Sequence, residues 1–158
     1  MSTEQTKDSK PVEKMDDISQ KEEENSDFEY DKAHSFVQRC EETKKILEKS
    51  GNERIPIIIE KSKTCKDPTL ATIDTKFLAP RTMTVAEFQK LVRKRIKLTA
   101  EQAMYIFVLD PSVSNKASRY VLPAGSQTIG ALYDEKKGKD GFLRITYATE
   151  NVFGSDNV

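Results

Sequence analysis

The side chains best suited to covalent chemistry are few and lie far apart in the chain. The 158 residues include one histidine, His34, and two cysteines, Cys40 and Cys65. A nucleophilic site needs a base beside its nucleophile, and a zinc site needs cysteines or histidines at short, regular spacing. Neither pattern occurs, and there is no glycine-rich phosphate loop. The sequence therefore predicts no catalytic residue, no metal site, no cofactor and no enzymatic activity.

A basic cluster is the other group of residues that could suggest a function. Arg93, Lys94, Arg95 and Lys97 follow one another closely. Nucleic-acid surfaces combine such charges with exposed aromatic side chains, which are missing here. A positively charged last turn also suits the dipole of a helix. We therefore interpret the cluster as a solvated helix end and expect no nucleic-acid partner.

Charge divides the chain into two unequal parts. Residues 1–30 carry ten acidic and four basic side chains, whereas the remainder carries 16 acidic and 22 basic ones. Sizeable apolar side chains are sparse in the first part, and such a segment cannot bury enough surface to offset the entropy of ordering it. We therefore predict a disordered acidic arm over 1–30, joined to a basic domain.

Targeting signals are not recognisable in the sequence. No apolar run approaches the roughly 20 residues that span a bilayer, and the first residues lack the apolar stretch of a signal peptide. The two cysteines show no disulfide framework. We expect a cytoplasmic protein.

Apolar periodicity predicts seven elements after the arm. Ser35 is a plausible N-cap for the first helix, and Thr84 with Glu87 matches a capping box for the second. Pro56 lacks an N–H and should lie at the start of its strand or on a sheet edge. Residues 110–125 read as a long loop. The elements are a helix (35–50), two strands (55–59 and 76–79), a helix (84–96), a strand (105–109), a short helix (127–133) and a strand (142–147).

This order is typical of the α+β class. Two opening strands, a crossover helix and two later strands with a short helix between them describe a β-grasp sheet, to which the leading helix is an addition. We therefore predict a β-grasp fold with an added N-terminal helical region.

Eight short stretches then give a resemblance to a known family. The sequence resembles the autophagy ubiquitin-like modifiers, the family of GABARAP and the microtubule-associated light chains, over about residues 32–154. The matching stretches, in order, are RIPIIIEK (54–61), KFLAP (76–80), TVAEF (84–88), LVRKRI (91–96), FV (107–108), IGALY (129–133), DGFL (140–143) and FG (153–154).

The resemblance implies a maturation pathway. In the family, a cysteine protease exposes a C-terminal Phe-Gly, activating and transfer enzymes carry the glycine carboxylate as thioesters, and phosphatidylethanolamine receives it. Here these residues are Phe153 and Gly154, with 155–158 as the propeptide and 31–154 as the modifier domain. The protein would be cytoplasmic, and on autophagosomal membranes when lipidated. The open alternative is an adaptor that acts unconjugated or conjugated to protein.

The resemblance also implies a peptide-binding surface, at which receptors add an extended aromatic-x-x-aliphatic motif to the edge of the second strand. Arg54 and Lys76 would meet acidic residues that flank the motif. The aromatic pocket would be lined by Glu42, Ile46, Pro56, Lys76, Leu78 and Phe142. The aliphatic pocket would be lined by Phe77, Ala79, Pro80, Met83, Phe88 and Leu91.

Two observations temper that expectation. Phe88 and Leu91 must partly serve the core, and Leu78 and Ala79 point to opposite sides of a strand, so at most one of them enters the core. The chain also departs from the family: residues 110–119 are an insertion of about ten residues relative to its short members, and the arm extends the usual N-terminus.

Overall fold

A computed structural model describes residues 26–73 and 75–149. The chain before residue 26, Asp74, and the tail from Glu150 onward, including the predicted processing point, lie outside the described residues. Within the described ranges the elements are α1 (Glu29–Ala33), α2 (Phe36–Ser50), β1 (Arg54–Lys61), β2 (Lys76–Pro80), α3 (Val85–Arg95), β3 (Tyr105–Leu109), β4 (Tyr120–Val121), α4 (Ile129–Lys136) and β5 (Leu143–Ala148).

The strands form one mixed sheet in the order β2-β1-β5-β3-β4. The first and last strands, β1 and β5, run parallel in its centre, and the other pairs are antiparallel. This arrangement confirms the prediction of an α+β, ubiquitin-like β-grasp fold with an added N-terminal helical region. It leaves β2 and β4 as the two edge strands.

Both faces of the sheet are covered, because successive side chains of a strand point to opposite sides. On one face, Ile57 pairs with Phe77 of β2, and the Phe77 ring meets Phe88 of α3 edge-on, with 5.4 Å between ring centres. On the other face, α2 lies against β1, and Tyr30 of α1 meets Phe142 edge-on at 5.4 Å. The N-terminal helices therefore form a separate layer.

The predicted caps of the two long helices are confirmed. Ser35 precedes α2 and accepts from the N–H of Gln38, and the helix ends at Gly51, whose φ of 59° is left-handed. Thr84 precedes α3 and forms a reciprocal capping box with Glu87. These local signals place both helices within one residue of their predicted bounds.

The predicted end of the arm at residue 30 is wrong. Phe28 is 1% exposed and Tyr30 is 7% exposed, and both belong to the core. The five-residue helix α1 lies partly inside the predicted arm. Composition averaged over 30 residues hides two aromatic side chains that bury themselves against a distant sheet. The rest of the predicted arm, residues 1–25, lies outside the described residues.

The predicted loop over 110–125 contains the short strand β4. Tyr120 and Val121 pair with Leu109 and Val108 of β3, a pairing too short to give a sequence period. The following helix also lies slightly later than predicted, since Thr128 caps α4.

The sequence predicted Pro56 at the start of its strand or on a sheet edge. The structure corrects this, because Pro56 is the third residue of β1, which is an inner strand. Its Cα partner in β2 is Leu78, whereas the parallel pairing with β5 begins only at Ile57. At Pro56, β1 is paired only with β2. The missing N–H of the proline therefore does not interrupt the hydrogen bonds between β1 and β5.

Candidate functional site

The edge strand β2 is the first component of the candidate docking surface. No other strand within residues 26–73 and 75–149 pairs with its outer side. Leu78 is 44% exposed, whereas the next residue, Ala79, is fully buried. This confirms that only one of the two enters the core. The strand thus offers free backbone groups beside an exposed apolar side chain, the two features that β-augmentation needs.

Side chains from three elements meet beside Leu78 on the face that carries α2. Pro56 lies directly across from Leu78, and α2 contributes Glu42 and Ile46, which lie one turn apart on the same side of the helix. Lys76 is two residues from Leu78 and so points to the same side. The strand pairing and the Lys76–Glu42 ion pair therefore bring together four of the six residues predicted for the aromatic pocket, and Ile46 follows Glu42 on the same side of α2.

The sixth residue, Phe142, is fully buried. Its ring contacts Tyr30 rather than solvent. Phe142 is therefore not accessible at the surface, unlike the exposed Leu78 and Lys76.

Glu42 connects this surface to the N-terminal helix. Lys76 forms an ion pair with one of its carboxylate oxygens, and the Tyr30 hydroxyl donates to the other. Burial acts to raise the pKa of Glu42, but the hydrogen bonds from Lys76 and Tyr30 outweigh it and hold that pKa below its ordinary value. Glu42 therefore stays ionised and holds the Lys76 ammonium beside Leu78.

The residues predicted for the aliphatic pocket divide into buried and accessible ones. Ala79 and Phe88 are fully buried, and Phe77 is 9% exposed. Pro80, Met83 and Leu91 are half-buried. Of the six, a docked aliphatic side chain would therefore meet these three rather than the buried Phe77, Ala79 and Phe88.

Two cations bracket the edge strand. Arg54 lies across from Pro80 at one end of β2, and Lys76 occupies the other end. Four residues of an extended strand span about 13 Å. Both side chains are exposed, so they suit acidic residues on either side of a short extended motif.

Sequence analysis missed a charge cluster of four buried side chains that holds the N-terminal helices on the sheet. Arg144 of β5 donates from Nε and Nη2 to the carboxylate of Asp31, at 2.9 and 2.7 Å, and also bonds Asp140. Arg39 of α2 donates from Nε to Asp140 at 2.7 Å. The charge cluster, Asp31, Arg39, Asp140 and Arg144, thus connects α1, α2 and β5.

Within the charge cluster, the surroundings of Asp140 favour its ionised form. Burial acts to raise the pKa of Asp140, but the hydrogen bonds and charge of Arg144 outweigh it and leave the pKa below its ordinary value. Breaking a buried pair by removing one partner strands the other charge. The cluster therefore fixes α2, and with it Glu42 and Ile46, relative to β2.

The reactive side chains singled out in the sequence make structural contacts. His34 stacks on Tyr30 at 4.1 Å between ring centres. Cys65 is buried near Thr149, and Cys40 is half-buried. Among the described residues no group of three or more histidine, cysteine or acidic side chains is placed to hold a metal ion. None of the described helices is long and apolar enough to cross a membrane.

Comparisons with known proteins agree with this architecture. Residues 38–154 match a family model described as "Autophagy protein Atg8 ubiquitin like". Autophagy-related protein 8e of Arabidopsis thaliana is 38% identical over 125 residues, which cover 79% of this chain and 92% of that protein. Autophagy-related protein 8 of Cochliobolus heterostrophus is 42% identical over 122 residues, covering 77% and 91%.

The solved structures include a similar chain. The crystal structure of Trypanosoma brucei ATG8 superposes with a TM-score of 0.63 at 31% identity, and covers 78% of this chain and 95% of that one. Proteins of this family are ubiquitin-like modifiers and not enzymes. The matched family model and the relatives, together with the β-grasp sheet and its N-terminal helices, show that the chain belongs to the Atg8 family of autophagy ubiquitin-like proteins.

Proposed function

We propose that the chain is cleaved after Gly154, conjugated through the freed carboxylate to phosphatidylethanolamine, and thereby held on autophagosomal membranes. The observation that carries this proposal is that the family match ends at residue 154, where the sequence reads Phe153-Gly154. The unconjugated protein would be cytoplasmic. A processing cysteine protease and the activating and transfer enzymes of the pathway are its proposed partners in maturation.

The residue types at the proposed processing point suit this chemistry. Glycine has no Cβ, so its carboxylate can enter a narrow enzyme cleft and adopt backbone angles that other residues avoid. Phe153 gives an apolar anchor beside it. Strand β5 ends at Ala148, and six extended residues span at most about 20 Å. That length lets Gly154 reach an enzyme or a bilayer while the domain stays folded.

Lipid conjugation would determine where the protein acts. A lipid with two acyl chains anchors a protein stably, whereas basic side chains near anionic lipid each contribute only about 1 kcal/mol. The basic last turn of α3 is therefore too weak to replace the lipid. The docking surface, once on the membrane, would recruit receptors and adaptors with aromatic-x-x-aliphatic motifs.

The support for receptor binding is geometric. β2 presents a free edge, Leu78 is exposed beside it, and Arg54 and Lys76 bracket it. An extended peptide gains main-chain hydrogen bonds from such an edge and selectivity from the pockets for alternate side chains. The surface is remote in sequence from Gly154, so binding and conjugation should be separable by mutation.

Intact mass of the protein recovered from its own cells tests the proposal. We expect loss of residues 155–158 and a gain equal to phosphatidylethanolamine. Gly154→Ala should abolish the gain and leave the protein diffuse. Gly125→Ala is the matched control, because a Cβ there meets only the Ala86 Cβ at an ordinary 3.6 Å. A Gly154→Ala protein still lipidated at its C-terminus would show that Gly154 is not the attachment site.

A further inference from the structure

Ser26 lies in a strongly acidic stretch of sequence. Asp27 and Glu29 follow it at the first and third positions, Glu22–Glu24 precede it, and no basic side chain occurs between Lys21 and Lys32. Protein kinases that select acidic surroundings do so with basic residues in the substrate cleft, because opposite charges attract. Ser26 therefore has the flanking charges that a kinase of this class would recognise.

The hydroxyl of Ser26 holds the start of the fold in place. Its Oγ donates to Asp31 Oδ2 at 2.6 Å and accepts from the Phe28 N–H at 3.1 Å. Asp31 is the member of the charge cluster that Arg144 bonds with two nitrogens. The Ser26 proton thus completes the hydrogen bonding of a buried carboxylate.

Further contacts anchor the N-terminal segment, residues 26–33, to the sheet and to the 110–119 insertion. The carboxylate of Asp27 accepts from Arg119 and from the Tyr120 hydroxyl, both at 3.2 Å. The N–H groups of Glu29 and Tyr30 donate to the carboxylate of Glu60, at 2.8 and 3.0 Å. A kinase takes its acceptor serine in an extended segment of several residues, so the segment must leave the domain before Ser26 can react.

We propose that Ser26 is a phosphorylation site for an acid-selective serine/threonine kinase, and that its phosphate keeps the N-terminal segment released from the sheet. In the reaction, Ser26 Oγ attacks the γ-phosphorus of ATP, the bond from that phosphorus to the β,γ-bridging oxygen breaks, and ADP leaves. The hydroxyl proton passes to the base of the kinase. ATP is the only co-reactant.

Two consequences of the reaction favour the released state. The ester oxygen has no proton to donate, so the hydrogen bond from Ser26 to Asp31 is lost. The phosphate also brings a charge of about −1.5 to −2 beside a carboxylate, which repels it. The kinase binds only the released conformer, and the product disfavours return to the docked one, so the population shifts.

Release of the N-terminal segment would also change contacts at the docking surface. Tyr30 belongs to the same segment, and its hydroxyl donates to Glu42, the partner of Lys76. This last link rests on the proposed receptor binding. The experiments below measure phosphorylation and release directly, so they fail or succeed independently of any receptor.

The first experiment compares kinase rates on the full-length protein, with ATP and an acid-selective kinase, by peptide-mapping mass spectrometry. Tyr120→Phe removes one anchor of Asp27 without changing the sequence around Ser26, so it should speed phosphorylation of Ser26 several-fold. A synthetic peptide of residues 19–33 serves as the unanchored control. If Ser26 is unmodified in the peptide, or modified in the peptide but never in the protein, the proposal is overturned.

The second experiment isolates charge at position 26 by hydrogen exchange. Ser26→Gln can still donate to Asp31, whereas Ser26→Glu, of nearly the same size, cannot and adds charge. Amides of residues 29–34 should exchange at least tenfold faster in the Glu variant, and those of α3, on the other face of the sheet, should be unchanged. Equal exchange in the two variants would refute release by charge at this position.

Discussion

Truncation of Leu78 gives the sharpest test of the docking surface. Full burial of a leucine side chain contributes about 1.5–3 kcal/mol. Leu78 is 44% exposed in the free protein, so a docked ring can cover slightly less than half of it. Leu78→Ala should therefore weaken binding of an aromatic-x-x-Leu peptide by about 1 kcal/mol, or roughly fivefold in Kd.

Isothermal titration with such a peptide, at low and high salt, separates this effect from that of charge. Arg54→Ala removes a rim cation, which contributes roughly 0–1 kcal/mol and is screened by salt. Its effect should fade at high salt, whereas that of Leu78→Ala should persist.

The matched control is Leu122→Ala. Leu122 is 54% exposed and follows β4, at the opposite edge of the sheet. The Leu122→Ala substitution removes the same atoms from a similarly exposed site away from β2, so it should leave the Kd for the peptide unchanged. Equal affinity of the wild type and Leu78→Ala, with both proteins folded by circular dichroism, would contradict peptide docking at β2 and leave only the modifier role.

Two further predictions concern stability. Phe28→Ala should lower the free energy of unfolding by about 3–5 kcal/mol, as for other buried aromatic residues. A chain that starts at residue 34 should lose a similar amount of stability. A denaturant titration that shows no loss for either protein would mean that this segment does not pack on the domain. The Lys136 ion pair and the Ser112 hydrogen bond lower the pKa of Asp110 from 3.8 to about 2, so its stabilising contribution is present above pH 3.8 and is lost as the pH falls towards 2. As the pH falls from 3.8 towards 2, the free energy of unfolding should therefore decrease less for Asp110→Asn than for the wild type. Parallel acid-unfolding curves for the two proteins would contradict this.

Local sequence signals determined much of the fold. The Ser35 and Thr84 caps set the starts of α2 and α3, because capping bonds join residues only three apart. The β-branched run after Arg54 predicted β1, and strand alternation predicted that Leu78 and Ala79 face opposite sides. The family motifs placed the proposed processing point at Gly154. Each of these inferences depends on neighbours in the chain.

Other features required the tertiary structure. The Tyr120–Val121 strand is too short to show a period, and its existence depends on β3 lying beside it. Phe28 and Tyr30 lie in an acidic stretch whose composition predicts disorder, yet the sheet buries both. The acidic residues around Ser26 are visible in the sequence, but only the fold shows that its hydroxyl donates to the buried carboxylate of Asp31.

The charge cluster shows most clearly what the sequence alone cannot determine. Asp31 and Arg144 are 113 residues apart, and neither stands out from the many charged residues around it. Their pairing follows from α1 lying over β5, a position that no local period or cap encodes. The sequence therefore determined which segments become helices and strands, whereas only the packed sheet decided which charges are buried, because burial depends on partners distant in the chain.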